Sequence, residues 1–270
     1  MGDVTGADDR SDAAHARPGD APVEAATAAA VRAALAEYAS PERAAGSARY
    51  FKTGPGEYGE GDRFIGSTLP TTRAIVARFA QLPLGALDEL LASDVHEHRM
   101  TALLIMVRQF EVASRPRTRD DATRTTLHEA YLRAVRGGRV NNWDLVDLSA
   151  PMLVGEFLLW SGRGDDPLLD ELVASASLWE RRVGVLATFA FTKAGDGGPI
   201  LRLAPRLLDD REDLMHKAVG WMLRELGKRV DRGALLGFLD EYAPRMPRTM
   251  LSYATEHLTP DERAAYRARR

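Results

Sequence analysis

The chain of 270 residues contains no cysteine. Disulfides, thiolate nucleophiles and zinc or iron–sulfur centres held by cysteine are therefore excluded. No apolar run reaches the length of about 18 residues that suggests a membrane-spanning helix, and no cationic segment followed by an apolar stretch stands at the N-terminus. The sequence therefore predicts a protein of a reducing compartment, the cytoplasm, that is not inserted in a membrane.

Sequence motifs of common enzyme classes are also missing. Neither a GxSxG nucleophile elbow nor a Walker phosphate loop occurs, and no HExxH zinc motif accompanies the pair His96 and His98. Since no third ligand is clustered with these two histidines, we interpret them as surface or helix-capping residues and not as metal ligands. We expect neither a metal nor an organic cofactor.

Charge is nearly balanced, with a formal net charge of −3. Residues 1–27 alone carry a net charge of −4, so the rest of the chain sums to +1. This balance permits a nucleic-acid partner without predicting one. Residues 1–22, rich in Asp, Gly, Ala and Pro, are predicted to form a disordered acidic leader, and residues 23–270 a single domain.

A glycine-rich segment, residues 54–66, contains Gly54, Gly56 and Gly59 in the spacing GxGxxG. A dinucleotide site needs a strand before this motif and free N–H groups at the start of a helix. Here Pro55 removes one donor, and the acidic side chains of the segment would repel a phosphate. We therefore interpret 54–66 as a shaped surface loop.

Most of the remaining sequence has the apolar periodicity of amphipathic helices joined by short loops. An Ala-rich helix from Val23 to Tyr38 is predicted to end at Ser40-Pro41. Further helices are predicted at 70–81, 83–92, 94–112, 119–136, 142–148, 152–160, 166–176, 178–192, 198–207, 211–229, 232–242, 246–257 and 260–269. The short connections indicate stacked antiparallel helix pairs.

Three predicted helices begin with the same pattern, in which a short polar segment ends in a basic residue and apolar or small residues follow. The basic residues are Arg99, Arg182 and Lys217. In addition, Trp143, Arg182 and Trp221 are separated by 39 residues each time. An interval of this size is typical of two-helix repeats of the HEAT type. The sequence therefore predicts an all-α solenoid of antiparallel helix pairs, whose equivalent helices line one concave groove.

The segment 140–147 carries the most distinctive chemistry. Asn141 or Asn142 is a suitable N-cap, which places Trp143 in the first helical turn. Trp143 and Asp147 are then four residues apart and project from the same face of the helix. An indole ring and a carboxylate presented together suit a cationic ligand. From spacing alone, the alternative is that Trp143 packs in the core beside Asp147, whose carboxylate is hydrogen-bonded within the protein.

Two further aromatic–basic segments share the predicted face, Trp179 to Arg182 and Gly220 to Glu225. Arginine at groove-lining helix openings is the expected means of holding phosphates. For Arg181 and Arg224 the alternative is a solvated helix face or a local ion pair. For Trp221 the alternative is core packing.

Taken together, four segments resemble the AlkD family of DNA alkylation repair proteins. The segments are 51–66, Asn142-Trp-Asp-Leu-Val-Asp147, Trp179-Glu-Arg-Arg182 and Lys217-Ala-Val-Gly-Trp-Met-Leu-Arg-Glu225. The similarity runs from about residue 49 to residue 262. The family implies a HEAT-like solenoid that holds duplex DNA in its concave face. It also implies hydrolysis of the N-glycosidic bond of cationic N3- and N7-alkylpurines without a pocket for a flipped base.

On matching positions, the resemblance implies that Asp147 is the catalytic carboxylate, that Trp143 and Trp221 contact the deoxyribose of the lesion, and that Arg182 holds the nearby DNA backbone. The predicted DNA-binding residues are Arg182, Arg181, Lys217, Arg224 and Arg99.

The predicted function is that of a monofunctional alkylpurine DNA glycosylase that acts as a monomer on double-stranded DNA containing alkylated purines. Such an enzyme would be cytoplasmic and associated with the nucleoid when it acts. The alternative is a catalytically inactive HEAT-like module that binds DNA structures or a protein partner through the same groove.

Overall fold

The computed structural model describes residues 26–162 and 166–269, which lie outside the predicted leader. Within these residues the chain is helical and has no β-strand, although one isolated parallel bridge joins Arg63 to Val95. The helices are α1 (Ala28–Ala36), α2 (Pro41–Tyr50), α3 (Leu69–Arg78), α4 (Leu84–Leu91), α5 (His96–Ser114), α6 (Asp121–Arg136), α7 (Trp143–Ala150), α8 (Phe157–Trp160), α9 (Leu168–Val173), α10 (Leu178–Lys193), α11 (Gly198–Leu203), α12 (Asp213–Arg229), α13 (Arg232–Tyr242), α14 (Arg248–Ala254) and α15 (Pro260–Ala268). In this described part, no helix combines the length and apolar character that crossing a membrane requires.

Helix α2 was not predicted from the sequence. The side chain of Ser40 caps it by accepting the N–H of Arg43 at 3.3 Å, and Pro41 occupies the first helical position. Proline is favoured there because its missing N–H would have no partner within the helix. The Ser40-Pro41 pair therefore starts a helix, and the preceding helix already ends at Ala36.

The predicted helices 142–148 and 152–160 form one continuous helical rod. Between α7 and α8, residues Pro151–Glu156 adopt a π-helix. Because Pro151 has no N–H, the regular hydrogen-bond pattern is interrupted at this point, and a wider turn accommodates the interruption.

The helices are arranged in two layers. In the inner row α5, α7, α10, α12 and α14 follow one another, each packed against the next. The second layer consists of α4, α6, α9, α11 and α13, which pack against α5, α10 and α12. Apolar side chains such as Leu103, Leu186 and Leu223 are fully buried between them. The prediction of an all-α helical-repeat solenoid is confirmed.

A repeat of 35 residues relates four of the five helices of the inner row. Trp143, Leu178, Asp213 and Arg248 are the first residues of α7, α10, α12 and α14, and each is 35 residues after the one before. Helix α5 begins at His96 and stands outside this spacing because the second-layer helix that follows it, α6, is longer than α9, α11 or α13.

The interval of 39 residues noted in the sequence is therefore not the length of the repeat. Trp143, Arg182 and Trp221 are the first, fifth and ninth residues of their helices, so each lies about one helical turn further along than the one before. The truly equivalent positions are Asp147, Arg182 and Lys217, each the fifth residue of its helix. Because one turn is 3.6 residues, a shift of four residues keeps a side chain on nearly the same face, which is why 39 resembled a repeat.

Close approach of neighbouring inner helices depends on two glycines. A Cβ atom on Gly155 would overlap the backbone of Ala187 in α10, and one on Gly220 would lie 2.5 Å from the carbonyl oxygen of Met250 in α14. Both positions therefore require the absence of a side chain. The glycine before Trp221 thus allows α14 to pack directly on the helix that carries this tryptophan.

Candidate functional site

The inner-row helices open onto one pocket with a volume of about 480 Å³. Trp143 and Asp147 line it from α7, Arg182 from α10, and Lys217 and Trp221 from α12. Five of the eight side chains predicted from the sequence are therefore brought together by three successive helices of the array.

Asp147 and Arg182 form a two-pronged ion pair between α7 and α10. Nε of Arg182 donates to Oδ1 of Asp147 at 2.9 Å, and Nη2 donates to Oδ2 at 2.8 Å. Nη1 donates to the carbonyl oxygen of Leu214 at 2.5 Å. The side chain of Arg182 is only 5% exposed. This arginine is thus placed to orient Asp147, whereas the sequence analysis assigned it to the DNA backbone.

The carboxylate of Asp147 lies at the border between solvent and an apolar interior. Its side chain is 19% exposed. Together with Trp143 it also lines a second cavity, to which the apolar side chains of Phe64 and Met100 contribute. Burial raises the pKa of Asp147 above its usual value of 3.8, although the charge and hydrogen bonds of Arg182 oppose the shift. In such surroundings little water screens the carboxylate, so its interaction with a nearby positive charge is strong.

Trp143 is held by aromatic neighbours and by the cap of its helix. Its ring stacks on Phe51, with centroids 5.3 Å apart, and meets Tyr50 edge-on at 6.1 Å. Oδ1 of Asn142 accepts the N–H of Trp143 at 2.9 Å. Tyr50 is 66% exposed and extends this aromatic wall of the pocket towards solvent.

Helix α12 supplies Trp221 and Lys217. Trp221 is half-buried and packs near Phe189, with ring centroids 6.1 Å apart, so it belongs both to the edge of the core and to the pocket. Nζ of Lys217 lies 2.8 Å from Oδ2 of Asp213. The hydrogen bond from this aspartate raises the pKa of Lys217, so the side chain stays an ammonium ion at neutral pH.

Arg181 and Arg224 do not line this pocket. Nε of Arg181 lies 2.7 Å from Asp210, and its Nη1 donates to two backbone carbonyl oxygens. Arg224 pairs with Glu225 at 3.1 Å and with Glu256. The alternative of local ion pairs describes both arginines in this structure.

Residues 31–258 match the family described as DNA alkylation repair enzyme. The chain belongs to this family. The resemblance found in the sequence is therefore confirmed. The chain also has the fold of a solved structure described as a predicted DNA alkylation repair enzyme from Enterococcus faecalis, with a TM-score of 0.62 at 15% identity over 82% of this chain and 97% of that chain. At this identity the likeness concerns the fold alone. A search of curated proteins gave no match.

In this member of the family, a further wall of the pocket comes from the segment 51–66, which we call the glycine-rich loop. Lys52 and Tyr58 line the pocket from this loop, next to Tyr50 at the end of α2. From the sequence, residues 54–66 are interpreted only as a shaped surface loop. Lys52 just before the first glycine and Tyr58 between Gly56 and Gly59 were the available signal that this segment contributes side chains to the site.

The acidic residues of the glycine-rich loop serve its own structure. Glu57 accepts the N–H of Gly54, and Glu60 accepts the N–H of Gly56, each at 2.8 Å. The third acid, Asp62, points inward, and its side chain is 2% exposed. Glu57 and Glu60 therefore accept from N–H groups of the loop itself, whereas Asp62 is directed into the protein.

Asp62 is the centre of a buried polar cluster that attaches the loop to α5 and α7. It accepts from Nη2 of Arg99 at 2.5 Å, from Nδ1 of His96 at 3.1 Å, from Asn142 at 3.2 Å and from Asn141 at 3.3 Å. Arg99, grouped with the DNA contacts in the sequence analysis, is 3% exposed and belongs to this cluster instead of the pocket.

His96 also belongs to the cluster, so its interpretation as a surface or capping residue is wrong. It is 2% exposed, and its Nε2 lies 2.9 Å from Oδ2 of Asp144. Burial alone would lower the pKa of His96, but the hydrogen bonds and charges of Asp144 and Asp62 raise it to about 9. The ring is therefore an imidazolium at neutral pH, in which both nitrogens donate. His98, half-buried, bonds instead to Ser93 at 2.9 Å.

Proposed function

We propose that this protein is a monofunctional DNA glycosylase that hydrolyses the N-glycosidic bond of cationic N3- and N7-alkylated purines in duplex DNA. The observation that carries the proposal is the placement of Asp147 in one open pocket with Trp143 and Trp221, oriented by Arg182. Membership of the DNA alkylation repair enzyme family supplies the substrate class, damaged DNA.

An alkylated purine that already carries a positive charge is a good leaving group and needs no strong general acid. As the bond between C1′ and the purine nitrogen breaks, its electron pair neutralises the purine, and positive charge develops on the sugar. The carboxylate of Asp147 stabilises this charge, and the faces of Trp143 and Trp221 add cation–π attraction.

Water completes the reaction. Its oxygen bonds to C1′, and the proton it loses passes to Asp147 or to solvent. Arg182 uses one lone pair of each Asp147 oxygen, so each oxygen keeps another for this water or for the sugar. The products are the free, neutral purine and an abasic sugar in an otherwise intact strand.

Of the two lysines that line the pocket, Lys217 lies on the same helix as Trp221 and is not available as a nucleophile. Cleavage of the strand after base removal requires an uncharged amine that attacks C1′ of the sugar. Because Asp213 raises the pKa of Lys217, this side chain is held in its charged, non-nucleophilic form. This is consistent with direct hydrolysis by water instead of attack by Lys217.

Release of 7-methylguanine from methylated duplex DNA tests the proposal. Asp147→Asn should lose about 100-fold or more in excision rate, because the developing charge is no longer stabilised, while DNA affinity stays similar or increases. Asp213→Asn is a matched control, since this aspartate lines the same pocket but pairs with Lys217; it should retain excision. Full activity of Asp147→Asn would refute the mechanism. DNA binding by the wild type without any release would favour the inactive DNA-binding module.

A further inference from the structure

Three basic side chains line the pocket, and two of them are already engaged. Arg182 is buried and committed to Asp147, and Lys217 is paired with Asp213. The third, Lys52, is exposed, and the described residues place no carboxylate within ion-pair distance of it. Its ammonium group makes a cation–π contact with the ring of Tyr58, whose centroid lies 5.9 Å from Nζ.

The backbone of Lys52 has an unusual conformation. Its φ angle is 52°, the only positive value at a non-glycine residue in the part of the chain that the structure describes. For a lysine this left-handed conformation is costly, and glycine would adopt it freely. Such conformations persist where the surroundings determine them, and they concentrate at functional sites.

The surroundings of Lys52 do determine its conformation. Its N–H donates to the carbonyl oxygen of Arg49 at 3.3 Å, and its own carbonyl accepts the N–H of Gly59 at 3.0 Å. The preceding residue, Phe51, is fixed between Phe64 and Trp143 by ring stacking. A fixed backbone thus carries an unpaired ammonium group into the pocket beside Trp143.

We propose that Lys52 is a DNA-binding residue that contacts a phosphate next to the damaged nucleotide. This inference rests on the proposed function, since it takes duplex DNA as the ligand and the pocket as the place of the lesion sugar. A phosphodiester group adjoins that sugar on either side, and a lysine ammonium group binds such an oxygen as a point charge. Lys52 thereby takes the role that the sequence analysis gave to Arg182, which the structure commits to Asp147.

Salt dependence of binding is the first test. Affinity of the full-length protein for a duplex with a tetrahydrofuran abasic analogue is measured by fluorescence anisotropy at NaCl concentrations from about 50 to 200 mM. Each phosphate contact contributes a slope of about −0.9 in log K against log salt concentration. Lys52→Met should lose about one such contact, which changes the ratio of affinities at the two salt limits by about 3.5-fold. Lys52→Arg should keep the slope.

Two further variants control for general charge and for folding. Lys228 is exposed at the other end of α12, so Lys228→Met removes one positive charge away from the pocket and should leave the slope unchanged. Lys52→Gly favours the left-handed backbone, so its melting temperature should equal or exceed that of the wild type while its DNA affinity falls. A loss of affinity without a loss of stability would show that the side chain acts on DNA.

Neutral methylphosphonate groups locate the contact. They replace, one at a time, the phosphates on either side of the abasic analogue. At one position the wild type should lose affinity several-fold, whereas Lys52→Met should lose little more. An unchanged salt slope in Lys52→Met, or equal effects of every methylphosphonate on both proteins, would overturn the inference while leaving the glycosylase proposal intact. Absence of any DNA binding by the wild type would overturn both, and absence of base release alone would overturn only the proposed function.

Discussion

Deprotonation of His96 should destabilise the fold over a defined pH range. The imidazolium ring lies between Asp62 and Asp144, and with one positive charge it neutralises part of their negative charge inside the protein. Loss of its proton would leave the buried carboxylate of Asp62 and the half-buried carboxylate of Asp144 with less positive charge beside them, and one of the two would lose a hydrogen-bond donor. Since the cluster attaches the glycine-rich loop to α5 and α7, the pocket wall would be weakened together with the fold.

The size of the effect follows from the shift in pKa. In the folded protein the pKa of His96 is about 9, against 6.5 for an unperturbed histidine. One pKa unit corresponds to about 1.4 kcal/mol, so the shift contributes roughly 3 to 4 kcal/mol of stability as an upper limit. This contribution is complete below pH 6.5 and is lost as the pH rises through about 9. It is a large share of the roughly 5–15 kcal/mol by which a typical protein is stable.

Urea unfolding followed by circular dichroism at about pH 6, 7.5 and 9.5 measures the effect. His96→Gln is the reference, because glutamine keeps a donor but carries no charge. The difference in unfolding free energy between wild type and variant should shrink towards high pH. The other histidine of the pair does not interfere, since burial lowers the pKa of His98 to about 4. A difference that stays constant across the range would refute the assignment of a charged His96.

Three other substitutions separate the roles of neighbouring residues. Arg182→Met removes the group that opposes the raised pKa of Asp147, so the acid limb of the pH–rate profile for 7-methylguanine release should move to higher pH; an unmoved limb would contradict this coupling. Gly220→Ala places a Cβ 2.5 Å from the carbonyl oxygen of Met250 and should reduce the unfolding free energy by about 1–3 kcal/mol in urea titrations. Arg181→Ala should lower the melting temperature without changing the salt slope of DNA binding, because this arginine is engaged within the fold; a shallower slope would return it to the DNA contacts.

The helices and their order could be predicted because apolar periodicity is a local property of sequence. Ser40-Pro41 shows the limit of this approach, since the same two residues are compatible with the end of one helix and the start of another. The length of the repeat was also ambiguous. The spacing of Trp143, Arg182 and Trp221 suggested a repeat of 39 residues. The first residues of successive inner-row helices, such as Trp143 and Leu178, show that the repeat is 35 residues long.

The buried cluster around Asp62 could not be predicted in the same way. Its members come from the glycine-rich loop, from α5 and from α7, and Asp62 and Asn142 are 80 residues apart. An acid within a polar, glycine-rich segment looks solvent-exposed unless its distant partners are known. For Arg99 and His96 the same reasoning applies, because residue type alone does not distinguish an exposed cation from one paired inside the protein.

The equivalent positions of Asp147, Arg182 and Lys217 have a mechanical consequence. These side chains belong to three successive repeats, and a repeat in such an array contacts only its neighbours. Their separations therefore depend on the angles between α7, α10 and α12, which change when the array bends. A ligand that flexes the solenoid would move Trp221 relative to Asp147 without touching either residue. The rate of the proposed reaction should therefore depend on the curvature of the array. Scattering measurements on free and DNA-bound protein can follow this curvature alongside the rate.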